Sequence, residues 1–276
     1  MAILAEMNIG ISGDPMVFPE VHETQVARDL SPDHPLRLKI DNRLALMKSI
    51  EENPSKYGFS RYTNDRSGSE YALQANGLQA SLTHASTIGD GVVLDIGAGT
   101  TRGMVDLYEF SIAAQIPLWF EGTVLDRKQT EAEARKPFGP ERIHETSVEY
   151  LDGIPDESVS MVLGINSIMY SVAPELAARR INEVLVPGGI IKATYVPATA
   201  EPIGRSPEFT AELEKLGYDV HTAWSNFDGE GYEGDDVVLA IKPGGDGAIS
   251  AKELRWRDEE LLIPQLNIFG KIRKNR

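Results

Sequence analysis

The stretch Val92-Val93-Leu94-Asp95-Ile96-Gly97-Ala98-Gly99-Thr100-Thr101-Arg102-Gly103 constrains the fold more than any other part of the chain. A short apolar run bounded by glycines suits a strand buried on both faces of a parallel sheet. Glycines directly after it let the backbone turn tightly and approach a ligand, and the following helix offers its N-terminal amides. In an open parallel sheet, such a turn at the carboxyl edge lies beside the switch point where ligands bind. Asp95, two residues before the first glycine, can order the turn and attract a cationic ligand.

The surrounding pattern fits that reading. From Gly91 onward apolar runs alternate with helical periodicity. The spacing predicts a helix over 102–115, a strand ending at Asp126, a helix over 129–136 and a short strand over 142–146. A buried run, Ser160 to Ile165, follows, then a helix from Pro174 to Leu185 and a strand from Ile190 to Val196. A helix from Pro207 to Leu216 leads to strands at Tyr218 to Trp224 and Asp236 to Ile241. Strands alternating with helices predict a doubly wound α/β fold with a mostly parallel sheet. The short polar connection between the last two strands predicts that they pair antiparallel.

Ahead of this core, residues 1–30 carry Gly10, Gly13, Pro15 and Pro19 and read as an irregular arm. Leu36, Ile40, Leu44, Met47 and Ile50 predict a helix from Pro35 to Glu52, stopped by Asn53-Pro54. Tyr57, Phe59 and Tyr62 then precede a second helix from Ser69 to Ala85, weakened at Gly77. The 276 residues suit one catalytic domain with a lid. The division expected is an N-terminal arm and helical lid over 1–88, a ligand-binding core over 89–245, and a C-terminal extension over 246–276. That extension carries an amphipathic helix that Pro264 should break.

Two ligand fingerprints are not matched at the glycine turn. The dinucleotide pattern G-x-G-x-x-G needs glycine or alanine at its third position, where Arg102 stands; Gly103 comes one residue late. A phosphate loop of the G-x-x-x-x-G-K-[ST] type is missing. Instead, Asp95-x-Gly97-x-Gly99 resembles the first motif of the Rossmann-like, class I S-adenosylmethionine-dependent methyltransferases, with Thr101 in place of a frequent third glycine. Three further segments support the resemblance in order. Gly122-Thr123-Val124-Leu125-Asp126 closes the second strand on an acid. Pro155-Asp156-Glu157-Ser158-Val159-Ser160-Met161-Val162 is similar to the family's P-D-x-S-F-D-x-V segment. Ile181-Asn182-Glu183-Val184-Leu185-Val186-Pro187-Gly188-Gly189 is similar to its turn before the fifth strand.

The resemblance covers residues 91–196 and implies a seven-stranded sheet with an antiparallel last strand and S-adenosylmethionine as cofactor. It implies that Asp95, Gly97, Ala98, Gly99 and Thr100 surround the cofactor, with Asp126 and its neighbour Arg127 at the ribose. Ser147 and the Val148 amide fall at the adenine, where the family often has an acid in place of the serine. Gly164 and Asn166 follow the fourth strand and face the methionine part or the acceptor. Met169-Tyr170 replaces a common histidine pair.

Methyl transfer is an in-line displacement, and positioning of that kind is worth effective molarities of roughly 10⁵–10⁸ M without a dedicated base. Where a base or pocket group is needed, His22 in the arm, Tyr170 and Tyr195 are the candidates. His34, His144 and His221 read as structural, and His84 as a favourable charge at a helix end. No histidine pair has zinc spacing, and the acids of the loop 228–236 do not follow calcium-loop spacing, so no metal is expected.

The formal net charge of −15 repels nucleic acid, even with Lys271, Arg273, Lys274 and Arg276 at the end of the chain. The expected partner is therefore a small-molecule methyl acceptor. There is no cysteine, no apolar run long enough to span a bilayer, and no secretory pattern in Met1-Ala2-Ile3-Leu4-Ala5-Glu6, which suits the cytoplasm. Two rivals stay open: a nicotinamide-dependent reductase, and a methyltransferase-like subunit that binds without catalysis. The oligomeric state is left open.

Overall fold

Seven strands form one sheet in the order β3-β2-β1-β4-β5-β7-β6. They are β1 (Val92–Asp95), β2 (Trp119–Val124), β3 (Ile143–Glu145), β4 (Val159–Ile165), β5 (Leu185–Tyr195), β6 (Asp219–Trp224) and β7 (Asp236–Ile241). The structure is a computed structural model, and it describes residues 26, 28–31, 33–52, 66–125, 139–195, 207–225, 236–245 and 249–274. Strands β1 to β5 pair in parallel, whereas β7 runs antiparallel to both β5 and β6. This is the expected doubly wound sheet with its antiparallel last strand. All seven residues of the central β4 are buried, which is why its sequence is apolar without alternation.

Helices cover both faces. On one side lie α1 (Arg37–Glu52), α5 (Pro174–Val184) and α6 (Pro207–Lys215), packed through Ile40, Ala177, Ile181, Phe209 and Leu213. On the other lie α2 (Gly68–Gln74), α3 (Gln79–Ala85), α4 (Arg102–Ala113) and α7 (Ala251–Lys274), packed through Tyr71, Leu82, Leu107, Phe110, Leu254 and Phe269. The helix after β1 therefore goes to one face and the helix after β4 to the other. Because β1 and β4 are neighbours, the carboxyl edge opens between them, and this is the switch point of the sheet.

Three elements differ from expectation. The helix expected over 69–85 is two helices, because Asn76 (φ 54°) and Gly77 (φ 91°) make a left-handed turn between them. A Cβ at Gly77 would run into the backbone carbonyl of Asp258, so α7 occupies the space that a continuous helix would need. Strand β5 starts five residues earlier than Ile190, passing through Pro187-Gly188-Gly189. The Gly188 amide donates to the Lys242 carbonyl at 3.1 Å, and the Lys242 amide to the Gly189 carbonyl at 2.9 Å, which supports the strand beyond β7.

Helix α7 continues through Pro264 instead of breaking there. An interior proline costs a helix about 3 kcal/mol. Here Pro264 lies on the exposed side, while Leu254 and Asp258 before it and Gln265 and Phe269 after it are buried, so the helix is docked on both sides of the defect. No helix among the described residues is long and apolar enough to cross a membrane.

Candidate active site

The glycine turn is built against β2 and β4. The Ile96 amide donates to the Leu163 carbonyl at 2.8 Å, the Gly97 amide to Thr123 Oγ1 at 3.0 Å, and the Ala98 amide to the Thr123 carbonyl at 2.8 Å. Gly97 (φ 68°) and Gly99 (φ 55°) are left-handed, a conformation that glycine adopts without the clash a side chain brings. Space requires Gly97 as well, since a Cβ there would lie 2.9 Å from the Cβ of Ser167 in the loop after β4. Thr101, also left-handed at φ 64°, stands at the N-cap of α4 without a side-chain cap bond. A non-glycine residue held there is strained by roughly 1–3 kcal/mol, the kind of strain that gathers at ligand sites.

Asp95 is 1% exposed at the end of β1. Its Oδ2 accepts a hydrogen bond from the Tyr71 hydroxyl at 3.0 Å, while Oδ1 is buried and has no partner among the described residues. Burial pushes its carboxyl up to about 7, against the Tyr71 hydrogen bond and the charge of Arg66, which both act downward. Arg66 itself donates to the Ile165 carbonyl at 3.2 Å, so it is held over the end of β4.

Further along the edge, Ser147 and Val148 are buried in the loop after β3, and Ser147 Oγ has no partner among the described residues. Ser167 Oγ, beside Gly97, has none either. A polar atom left buried and unpaired costs about 1–3 kcal/mol, and three of them, on Asp95, Ser147 and Ser167, fall along this stretch of sheet edge.

The remaining predicted residues lie as follows. Gly164 is inside β4, where a Cβ would collide with Ile168 Cδ1; packing alone requires glycine there. Asn166 is buried with φ 51°. Its amide donates to Thr194 Oγ1 at 3.0 Å and its Oδ1 accepts from the same hydroxyl at 2.9 Å, which ties the loop after β4 to β5. Tyr170 is half-buried in a 3-10 turn, Ile168–Tyr170. Tyr195 ends β5 at 2% exposure with its hydroxyl unpartnered among the described residues. Burial holds that phenol well above its ordinary value, so at neutral pH it is a hydrogen-bond donor and not a base. His22, Asp126 and Arg127 lie outside the described residues, as do Tyr57, Phe59, Tyr62, the helix expected over 129–136 and the acidic loop at 228–235.

Two of the described histidines make structural contacts. His144 pairs with Glu121 at 2.9 Å, and His34 Nδ1 accepts from the Leu36 amide at 3.2 Å. His84 ends α3 as expected, but burial and the nearby Arg257 push its pKa down. That opposes the helix-end charge expected of it. No cluster among the described residues could hold a metal ion.

The structure adds residues that the sequence did not single out. Thr123 builds the turn from inside the segment read only for its terminal acid. Tyr71 reaches Asp95 from α2, whose start carries a visible signal: Ser67 and Glu70 form a capping box that fixes the helix. On the opposite side of the edge, α1 lies over the loop after β4. Arg43 Nη2 donates to the Met169 carbonyl at 2.7 Å and Lys39 pairs with Glu175 at 2.8 Å.

No protein-family model matches the chain, and no curated protein matches it. Solved structures do. A 1,6-didemethyltoxoflavin-N1-methyltransferase from Burkholderia thailandensis, with bound 1,6-didemethyltoxoflavin and S-adenosylhomocysteine, is similar at 16% identity and a TM-score of 0.47, over 86% of this chain and 98% of that one. The [4+2]-cyclase SpnF is similar at 17% identity and a TM-score of 0.46, over 60% and 80%. A methyltransferase from Archaeoglobus fulgidus described as dependent on S-adenosylmethionine is similar at 14% identity and 0.45, over 60% and 91%. Strand order, switch point and the glycine turn after β1 give this chain the Rossmann-like fold of the class I S-adenosylmethionine-dependent methyltransferases.

Proposed function

We propose that the chain binds S-adenosylmethionine at the open carboxyl edge beside β1 and transfers its methyl group to a small-molecule acceptor. The observation that carries this reading is Asp95: a buried carboxylate beside a ligand-type glycine turn, with one oxygen left without a partner among the described residues. A cationic ligand group is the natural partner for that oxygen. Ser147 Oγ and the Val148 amide suit the adenine, Gly97 to Thr100 the approach of the cofactor backbone, and Asp126 with Arg127 the ribose beyond the end of β2.

The cofactor supplies a methyl group on a sulfonium, which passes to an acceptor lone pair as the carbon–sulfur bond breaks. The chain's task is to align the acceptor and exclude water. On this reading residues 89–245 hold the cofactor with Tyr71 and Arg66 beside Asp95, and α1 stands on the acceptor side. The acidic charge favours a small molecule over nucleic acid, and the cysteine-free composition suits the cytoplasm. Calorimetry with S-adenosylmethionine and S-adenosylhomocysteine tests the proposal. Binding of either, sharply weakened by Asp126→Ala, is the expected outcome. Binding of a reduced nicotinamide dinucleotide instead would overturn it.

A further inference from the structure

Arg43 and Tyr195 are far apart in sequence and meet at one end of the sheet. Arg43 is on α1, and its guanidinium lies over the turn after β4, held by its bond to the Met169 carbonyl. Its Nε is buried without a partner, and no carboxylate among the described residues lies within ion-pair distance of it. Three acids are near enough to act on it through space. Two are committed elsewhere: Glu149 Oε1 accepts from Ser171 Oγ at 2.6 Å and the Val172 amide at 2.8 Å, and Glu175 is paired with Lys39. The third, Glu208, begins α6 and makes no ion pair with it.

Tyr195 is among the largest fully buried side chains, and buried tyrosine hydroxyls ordinarily find a partner. This one has none among the described residues, although it is close enough to Arg43 for the two to interact electrostatically. A partly buried guanidinium with a buried, unpartnered Nε and no direct ion pair, near an unpartnered phenol, is an arrangement that a ligand oxyanion would complete.

We propose that Arg43 and the Tyr195 hydroxyl form a subsite for a negatively charged oxygen of the methyl acceptor. The acceptor is then a small molecule with an acidic oxygen, of the phenol, enol or carboxylic acid class. The subsite rests on the methyl-transfer reading and narrows its substrate. Its place fits, because Tyr195 closes β5 and Met169 follows β4, on the acceptor side of the Gly97–Ser167 contact. Arginine offers a fork to the oxyanion, and the neutral phenol adds a third donor. The same contacts hold the acceptor ionised, so its oxygen or the conjugated carbon beside it is ready for alkylation.

The test uses the full chain with 4-nitrophenol as probe, followed by absorbance across pH, with and without saturating S-adenosylhomocysteine. The expected result is that the 4-nitrophenolate anion binds at least about tenfold tighter than the neutral phenol. Arg43→Gln should remove about tenfold or more of the anion affinity and Tyr195→Phe about threefold to tenfold. Arg43→Lys should recover only part of it, because the ammonium lacks the fork. If Arg43→Gln fails to fold, the wild-type titration and Tyr195→Phe still decide. No preference for the anion, no binding of the probe, or unchanged anion affinity in both variants would overturn the subsite. Calorimetry with S-adenosylhomocysteine on the same samples separates the two readings. Normal cofactor binding with a failed anion test sinks only the subsite, whereas loss of cofactor binding in the wild type sinks the methyltransferase reading.

Discussion

Asp258 and Asp95 are both buried carboxylates on the same half of the molecule, and their surroundings treat them in opposite ways. Asp258, on α7, is closed on every side. Its Oδ1 accepts from the Ser81 amide at 3.0 Å, and its Oδ2 from Lys192 Nζ at 2.5 Å and from the Ser81 hydroxyl. Lys192 Nζ also donates to the Gly77 carbonyl at 2.6 Å, and the side chains of both ions are fully buried. One cluster thus joins α7, α3, the α2–α3 break and β5. Asp95, by contrast, has one hydrogen bond and one buried oxygen without a partner among the described residues. The difference is one of completeness: the groups around Asp258 satisfy one another and fix the fold, whereas Asp95 keeps an unsatisfied oxygen, which the proposed cofactor would complete.

Substitutions at the two sites should part in their effects. The largest is expected from Asp258→Ala, which leaves the Lys192 ammonium buried without its counter-ion. Chemical denaturation should show a loss of about 3–5 kcal/mol, while protein that remains folded binds the cofactor normally. A loss of cofactor affinity without a loss of stability would erase the distinction.

Asp95→Asn should do the reverse. Cofactor affinity should fall about tenfold to a hundredfold, as befits loss of a charged hydrogen bond, with no loss of stability at pH 8. The folded protein holds the Asp95 proton up to about pH 7, whereas the unfolded chain releases it near 3.8. This carboxyl therefore favours the folded state most below about pH 4, and that contribution is lost as the pH climbs to 7, by a few kcal/mol at most. The asparagine variant should lack this component of the pH dependence in denaturation curves.

The smallest effect is expected from Ser147→Ala. Removing a buried, unpartnered hydroxyl should raise stability by about 1 kcal/mol, since the cost of the unpaired atom goes with it, and weaken cofactor binding about twofold to fivefold. A large fall in stability would mean that Ser147 belongs with Asp258 and not with Asp95.

What the sequence allowed to be read followed the range of the interactions. Strand β4 and the turn after β1 announce themselves locally, through an unbroken apolar run and through glycines whose backbone angles suit few other residues. The switch point of the sheet could be placed from those two features alone. Lys192 stands inside an apolar strand, and nothing local names its partner, Asp258, 66 residues away on α7. The persistence of α7 past Pro264 depends in the same way on contacts with α2 and α3, such as the Leu78 amide donating to Gln265 Oε1 at 2.9 Å. Tyr71 and Arg43 reach the sheet edge from helices before the core, and no local pattern fixes which face of those helices meets it.

Cofactor binding across pH tests most directly whether the half-satisfied Asp95 carboxylate is a cation site. S-adenosylhomocysteine should be titrated calorimetrically at pH 6 and pH 8, and near pH 7 in two buffers of different ionisation enthalpy. Binding a cation beside Asp95 requires its ionised form, so affinity should be about tenfold weaker at pH 6 than at pH 8, with proton release near neutrality. Asp95→Asn should abolish both effects. Binding that is independent of pH and exchanges no protons would contradict the assignment of Asp95 to the cofactor.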